Sequence, residues 1–167
     1  EAMIGFLALL LCAGMAHGEE DVVAAVDARA GEFAAVAQAI WEHAELGYLE
    51  ERSSALLQEH LAAAGFRIER GVAGIPTAFV AEYGQGEPVV ALLAEFDALP
   101  GLSQQAVAYR APRVAEGAGH ACGHHLFGAG SLAAVIVAAE WLQREGVAGT
   151  IRLYGTPAEE GGSGKVY

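Results

Sequence analysis

"GAGSLAAVIVAAEWLQREG", residues 128–146, is apolar nearly all the way round at the helical period. It predicts a buried helix over about residues 129–145, too short to span a membrane and ended by Gly146 and Gly149. Before it stands "PVVALLAEF", residues 88–96, a short continuous apolar run that reads as a strand. After it "TIRLYG", residues 150–155, reads as another. Strand 89–96, helix, strand 150–154 is a βαβ unit. Such crossovers are overwhelmingly right-handed, so the two strands are expected to be parallel and the fold class α/β.

Upstream of this unit, apolar residues recur at helical spacing from Asp21 to about Glu45: Val22, Val26, Ala30, Phe33, Val36 and Ile40. Gly47 interrupts, and a second helix is expected from about Glu51 to Ala64, with Gly65 as its stop. "FRIERGV" then alternates and "TAFVAEY" is rich in strand formers, with Gly-Gln-Gly after it as a turn. The long stretch from Asp97 to about Phe127 reads as a loop.

At the other extreme, "MIGFLALLLCAGMAHG", Met3 to Gly18, has a short apolar centre, a small-x-small site at Gly14-Met15-Ala16 and acidic residues next. These features predict a secretory signal over residues 1–18, a mature chain over 19–167, and export to the periplasm or medium. The usual basic start of such a signal is missing. A lipoprotein reading would lipidate Cys12, but bulky Leu11 precedes it. Cleavage leaves Cys122 as the only thiol, so no internal disulfide can form. A free thiol in an oxidising compartment is a liability unless buried or bound to metal, which favours a ligand role for Cys122.

With 167 residues, 54% of them hydrophobic and 18% charged, the chain has the make-up of one folded domain. Twenty-one Asp and Glu against nine Lys and Arg give a formal charge of −12. That field repels phosphate backbones and anionic headgroups, so neither nucleic acid nor a membrane surface is an expected partner.

Ligands of parallel sheets gather beyond the carboxyl ends of the strands. "EFDALPG", with Asp97, follows the first strand; "GTPAEEGGSGK", with Glu159 and Glu160, follows the second. "HACGHH" lies on the segment feeding the helix between them. Three polar clusters distant in sequence therefore converge on one rim. Thiolate, imidazole and carboxylate are a ligand set for zinc, and also for manganese or cobalt. Gly123 lets Cys122 and His124 face one point, just before a helix N-terminus whose partial charge favours the thiolate. Glu159 and Glu160, on an extended loop, are expected to point in different directions, one ligating and the other handling a proton. That is an apparatus for metal-assisted amide hydrolysis.

Each cluster also has a bland reading. A lone Cys-Gly-His is commonly nothing, a Glu pair is commonly a solvated surface, and Asp97 before Ala-Leu-Pro suits a turn or cap. His120 and His125 are supporting or structural candidates. Gly128-x-Gly130-x-x-Ala133 fits a relaxed dinucleotide fingerprint but follows the histidine-rich segment instead of a strand. Gly164-Lys165 resembles the end of a phosphate loop, with Glu159 where its first glycine belongs. Neither is read as a phosphate site.

"AEFDALPGLSQQ", "GHACGHHLFGAGSLAA" and "GTIRLYGTPAEEGGSGKVY" closely resemble the metallo-aminoacylase and carboxypeptidase family, and "IWEHAELGYLEERSSALLQEHLAAAGF" resembles its N-terminal helices. The resemblance covers essentially everything after the signal. It implies an amidohydrolase with two divalent metal ions, zinc or manganese, and a three-layer α/β/α catalytic domain. It implies Cys122, His124 and Glu160 as metal ligands, Glu159 as general base, and Asp97 as the carboxylate orienting a ligand. The implied substrates are N-acyl amino acids, p-aminobenzoyl-glutamate the leading example, and the implied assembly is a homodimer or hetero-oligomer. His125 stands where relatives often carry Asn or Asp. The family's further histidines and its lid and dimerisation domain would lie past Tyr167, so the chain reads as an N-terminal, inactive fragment. Two other classes stay open: an exported domain that binds metal or ligand without catalysis, and a dinucleotide-binding α/β domain.

Overall fold

The structure, a computed structural model, describes residues 21–167; the expected signal over 1–18 lies outside the described residues. Residues 21–28 are helical. The chain breaks step at Arg29 and continues as α1, Ala30–His43, where one unbroken helix to Glu45 was expected. Ala44 ends it in a left-handed conformation, its N–H bonded to Ile40 O. Helix α2 covers Glu51–Ala63. Strands β1 (Arg67–Arg70), β2 (Phe79–Gln85), β3 (Val89–Ala94) and β4 (Gly149–Gly155) form one sheet in the order β1-β2-β4-β3. The turn after β2 falls at residues 86–88, slightly beyond the Gly-Gln-Gly expected to make it.

β3 and β4 pair in parallel, with Leu92 opposite Leu153 and Ala94 opposite Gly155. The helix between them, α3, runs His124–Glu145. It begins five residues before the expected start, so the preceding loop ends at Gly123. At 22 residues it is long and apolar enough to cross a membrane. Length therefore does not exclude a span, contrary to expectation, but ten of its residues are buried within the domain.

Alternation along the strands sends Phe79, Ala81, Ile151, Leu153 and Ala94 to one face. There they join Phe33, Ile40, Leu57, Leu61, Leu132, Val135 and Ile136 from α1, α2 and α3 in a single core. Each large apolar side chain so buried contributes about 1.5–3 kcal/mol. The opposite face carries Glu82, held between Arg67 and Arg152, and Tyr154. The described residues thus supply one helical layer and the sheet of the mixed α/β architecture. β3 lies at the sheet edge, and Val89, Val90 and Leu93 remain 39–48% exposed despite its continuous apolar sequence.

The segment between β3 and α3 has order of its own. The Gln104 amide donates to Tyr109 O at 2.7 Å and accepts from Ala111 N at 2.9 Å, and the loop folds around that side chain. The Arg113 guanidinium stacks on Trp41 at 4.2 Å from the ring centroid.

Candidate metal centre

Three segments meet where β3 and β4 end. Beyond β3 the chain stays extended, so Glu95 and Asp97 project to one side while Phe96 enters the core. Gly123, at φ 102°, caps α3; a side chain there would be strained, and only glycine turns the chain so sharply between Cys122 and His124. After β4, Ala158 adopts φ 57° and opens a single helical turn, Glu159–Gly162. The acid pair therefore sits on a helical turn, in place of the extended loop expected. His124 is the first residue of α3, where it was expected to precede the helix.

His124 is buried at the centre. Its Nδ1 lies 2.8 Å from Asp97 Oδ1, and its Nε2 lies 3.0 Å from Glu95 Oε2. Glu160 Oε1 approaches the Nδ1 side at 3.9 Å, and Glu159 Oε2 the Nε2 side at 3.9 Å. The adjacent acids therefore flank the two sides of one imidazole. Asp97 does a second job: its Oδ2 accepts the Glu160 N–H at 2.8 Å, tying the end of one strand to the loop after the other. Lys165 Nζ bridges Glu95 at 2.7 Å and Glu159 at 3.2 Å, and both carboxylates hold its ammonium above the usual lysine range.

Cys122, His124 and Glu160 bring one ligand atom each to within 4.8 Å of one another. A second such group is Glu95, His124 and Glu159. Two observations favour a cation here. Glu160 Oε1 is buried without a hydrogen-bond partner. Four carboxylates converge on one imidazole and one ammonium. Even with both of those charged, two negative charges are left over, which a divalent ion would balance. The residues present fit the group.

Cys122 differs from expectation in one respect. It is exposed, and the neighbouring Glu160 carboxylate pushes its thiol up, overriding any lowering from the helix terminus. A full carboxylate charge within 4.8 Å outweighs half a charge of helix dipole. His120 belongs to the supporting structure. Its Nε2 lies 3.0 Å from Ile40 O on α1, and its ring sits 5.0 Å from that of His125. Burial, then the neighbouring His125, lowers His120 to about 4. Burial, then His124, lowers His125.

Glu95 and Lys165 are site residues that the sequence pattern did not single out. The signal for Glu95 was available: it stands two residues before Asp97 on a strand, so alternation puts both on one face. The sequence marked Lys165 only through its likeness to the end of a phosphate loop, and it reaches Glu95 because the chain turns back after Gly162.

A parallel βαβ unit thus carries acids, an imidazole and a thiol at its carboxyl rim, a donor set that suits a divalent ion. Residues 91–167 match the model for Peptidase family M20/M25/M40, in line with the resemblance to metallo-aminoacylases and carboxypeptidases. The chain is 46% identical to one of the subunits of p-aminobenzoyl-glutamate hydrolase from Escherichia coli over 144 residues, which is 86% of this chain and 30% of that protein. It is 32% identical to the mouse Xaa-Arg dipeptidase over 154 residues, 84% of this chain and 32% of the relative. Among solved structures it resembles the Bacillus subtilis YXEP protein, described as a dinuclear metal binding peptidase from the M20 family. That match has a TM-score of 0.61 at 27% identity, covering 79% of this chain and 36% of the other. The chain thus spans about a third of the length of the curated relatives it matches.

Proposed function

We propose that this chain carries metal-binding residues of an amidohydrolase acting on N-acyl amino acids, p-aminobenzoyl-glutamate foremost. The observation that carries the reading is the convergence of Cys122, His124 and Glu160 around a buried, unpartnered carboxylate oxygen. The likeness to a hydrolase of p-aminobenzoyl-glutamate supports the substrate class. The likeness to a dinuclear metal-binding peptidase supports two ions, zinc or manganese.

In this reading Cys122, His124 and Glu160 hold a divalent ion, with Glu95 and Glu159 beside it. A divalent ion held there would supply Lewis-acid activation of water. Asp97 fixes the His124 ring at Nδ1, on the side where Glu160 approaches, while Glu95 and Glu159 face its Nε2. Glu159 serves as the general base, taking the proton of the attacking water and passing it to the leaving amine. Lys165 keeps Glu159 and Glu95 within one hydrogen-bonded group while they face His124. Assembly with a further polypeptide fits the E. coli relative, which is itself one subunit of its enzyme.

The test is metal binding by paired variants. Glu160→Ala is expected to lower zinc affinity at least about tenfold, the cost of losing one directly coordinating carboxylate. Glu159→Ala is expected to retain zinc while abolishing release of glutamate from an acyl-glutamate in the full-length enzyme. Equal zinc loss in both variants, measured by chelator competition, would remove the division of labour between the two acids.

A further inference from the structure

One fully buried carboxylate has no part in the metal centre. Glu50 is wholly inaccessible, and no arginine or lysine lies within ion-pairing distance of it among the described residues. Burial pushes its pKa up. Its oxygens are nonetheless engaged: Oε1 accepts the Ala158 N–H at 2.7 Å and Oε2 accepts from Thr77 Oγ1 at 3.1 Å. Ala158 is the left-handed residue that opens the Glu159–Gly162 turn. A non-glycine residue persists at such a φ only where its surroundings over-determine it.

Glu50 does not act alone. Its segment, residues 44–50, contacts both rim segments that carry acids. Glu45 O accepts the Ala98 N–H at 2.8 Å, next to Asp97. Gly47 abuts Ala158 so closely that a Cβ there would lie 2.9 Å from the Ala158 Cα. Tyr48 Oη donates to Gly162 O at 3.1 Å, at the far end of the turn. Glu45 in turn caps α2 through Ser53 N at 2.9 Å and Arg52 N at 3.1 Å, which anchors the segment to the core.

We infer that Glu50 is a positioning residue: by accepting the Ala158 amide it sets the turn that presents Glu159 and Glu160 to His124. The inference rests on the metal-centre reading for its meaning but not for its test. The primary readout is amide hydrogen exchange in the metal-free chain, where the Glu160 N–H reports its bond to Asp97. In Glu50→Ala the Glu160 amide is expected to lose on the order of tenfold protection or more beyond any change at Ile136 in α3. Gly47→Ala, which pushes on Ala158 from the same segment without touching Glu50, is expected to do likewise. It carries the test should Glu50→Ala not fold. Glu50→Gln, which still offers an oxygen to the Ala158 amide, is expected to stay within about threefold of the parent. Ser54→Ala breaks a buried bond to Thr77 O without reaching Ala158, and is expected to leave the Glu160 amide moving with Ile136.

Cobalt(II) titration, read by the thiolate charge-transfer band, is expected to weaken in the same order across these variants. The inference is overturned if Glu160 protection merely follows Ile136 in the folded Glu50→Ala or Gly47→Ala chain. It is equally overturned if Ser54→Ala matches Glu50→Ala. A parent chain that keeps the exchange pattern but takes up no cobalt would sink the metal reading and leave the positioning role standing.

Discussion

Asp97 is the residue on which the site turns. One of its oxygens faces His124 Nδ1 and the other accepts the Glu160 backbone N–H. Replacement by Asn keeps one acceptor and substitutes an NH₂ for the other, so a donor would then face the Glu160 amide. Asp97→Asn is expected to weaken zinc binding by about 10–100-fold, the usual effect of losing a ligand's supporting carboxylate. Isothermal titration against Asp97→Asn and the parent checks it; a change under twofold would show that the His124 ring is oriented by Glu95 instead.

Among the elements, α3 carries the site because of how it begins. Gly123 turns the chain at φ 102°, so that His124 enters the first turn facing Asp97 while Cys122 stays outside. Gly123→Ala is expected to cost about 1–2 kcal/mol, the penalty of a left-handed conformation for a residue with a Cβ. A lower urea midpoint with unchanged slope is the signature; an unchanged midpoint would mean that the turn relaxes without cost. The acid pair depends in the same way on Ala158, whose φ of 57° was not legible in "PAEE". The expectation of an extended loop failed there because a buried carboxylate from residue 50 decides the local backbone.

Across the whole molecule, stability is tied to histidines kept neutral. His120 titrates at about 4, below the ordinary imidazole value of about 6.5, and His125 is lowered as well. As pH falls the unfolded chain takes up these protons first. The stabilisation is therefore fully present above about pH 6.5 and is lost progressively down to about pH 4. Urea midpoints are expected to fall across that window, and His120→Asn to flatten the slope. Because that variant also loses the contact to Ile40 O, the slope is the quantity to compare. A parent chain equally stable at pH 7 and pH 5 would show that the histidine pair is hydrated.

The βαβ unit, the parallel pairing of β3 with β4 and the meeting of Asp97, Cys122, His124, Glu159 and Glu160 on one rim were readable from the sequence. Hydrophobic period reports which face an element buries, and crossover handedness then fixes where strand ends fall. Tertiary structure alone decided that β3 lies at the sheet edge, that α3 begins at His124, and that Glu95, Lys165 and Glu50 join the site or its support. The ties that order the acid pair and its lysine join residues 63 to 108 positions apart, and such contacts leave no local periodicity to read. The carboxylate of Glu50 stands in a helix-entry sequence like any other, and only the folded chain brings it against the amide that orders the acid pair.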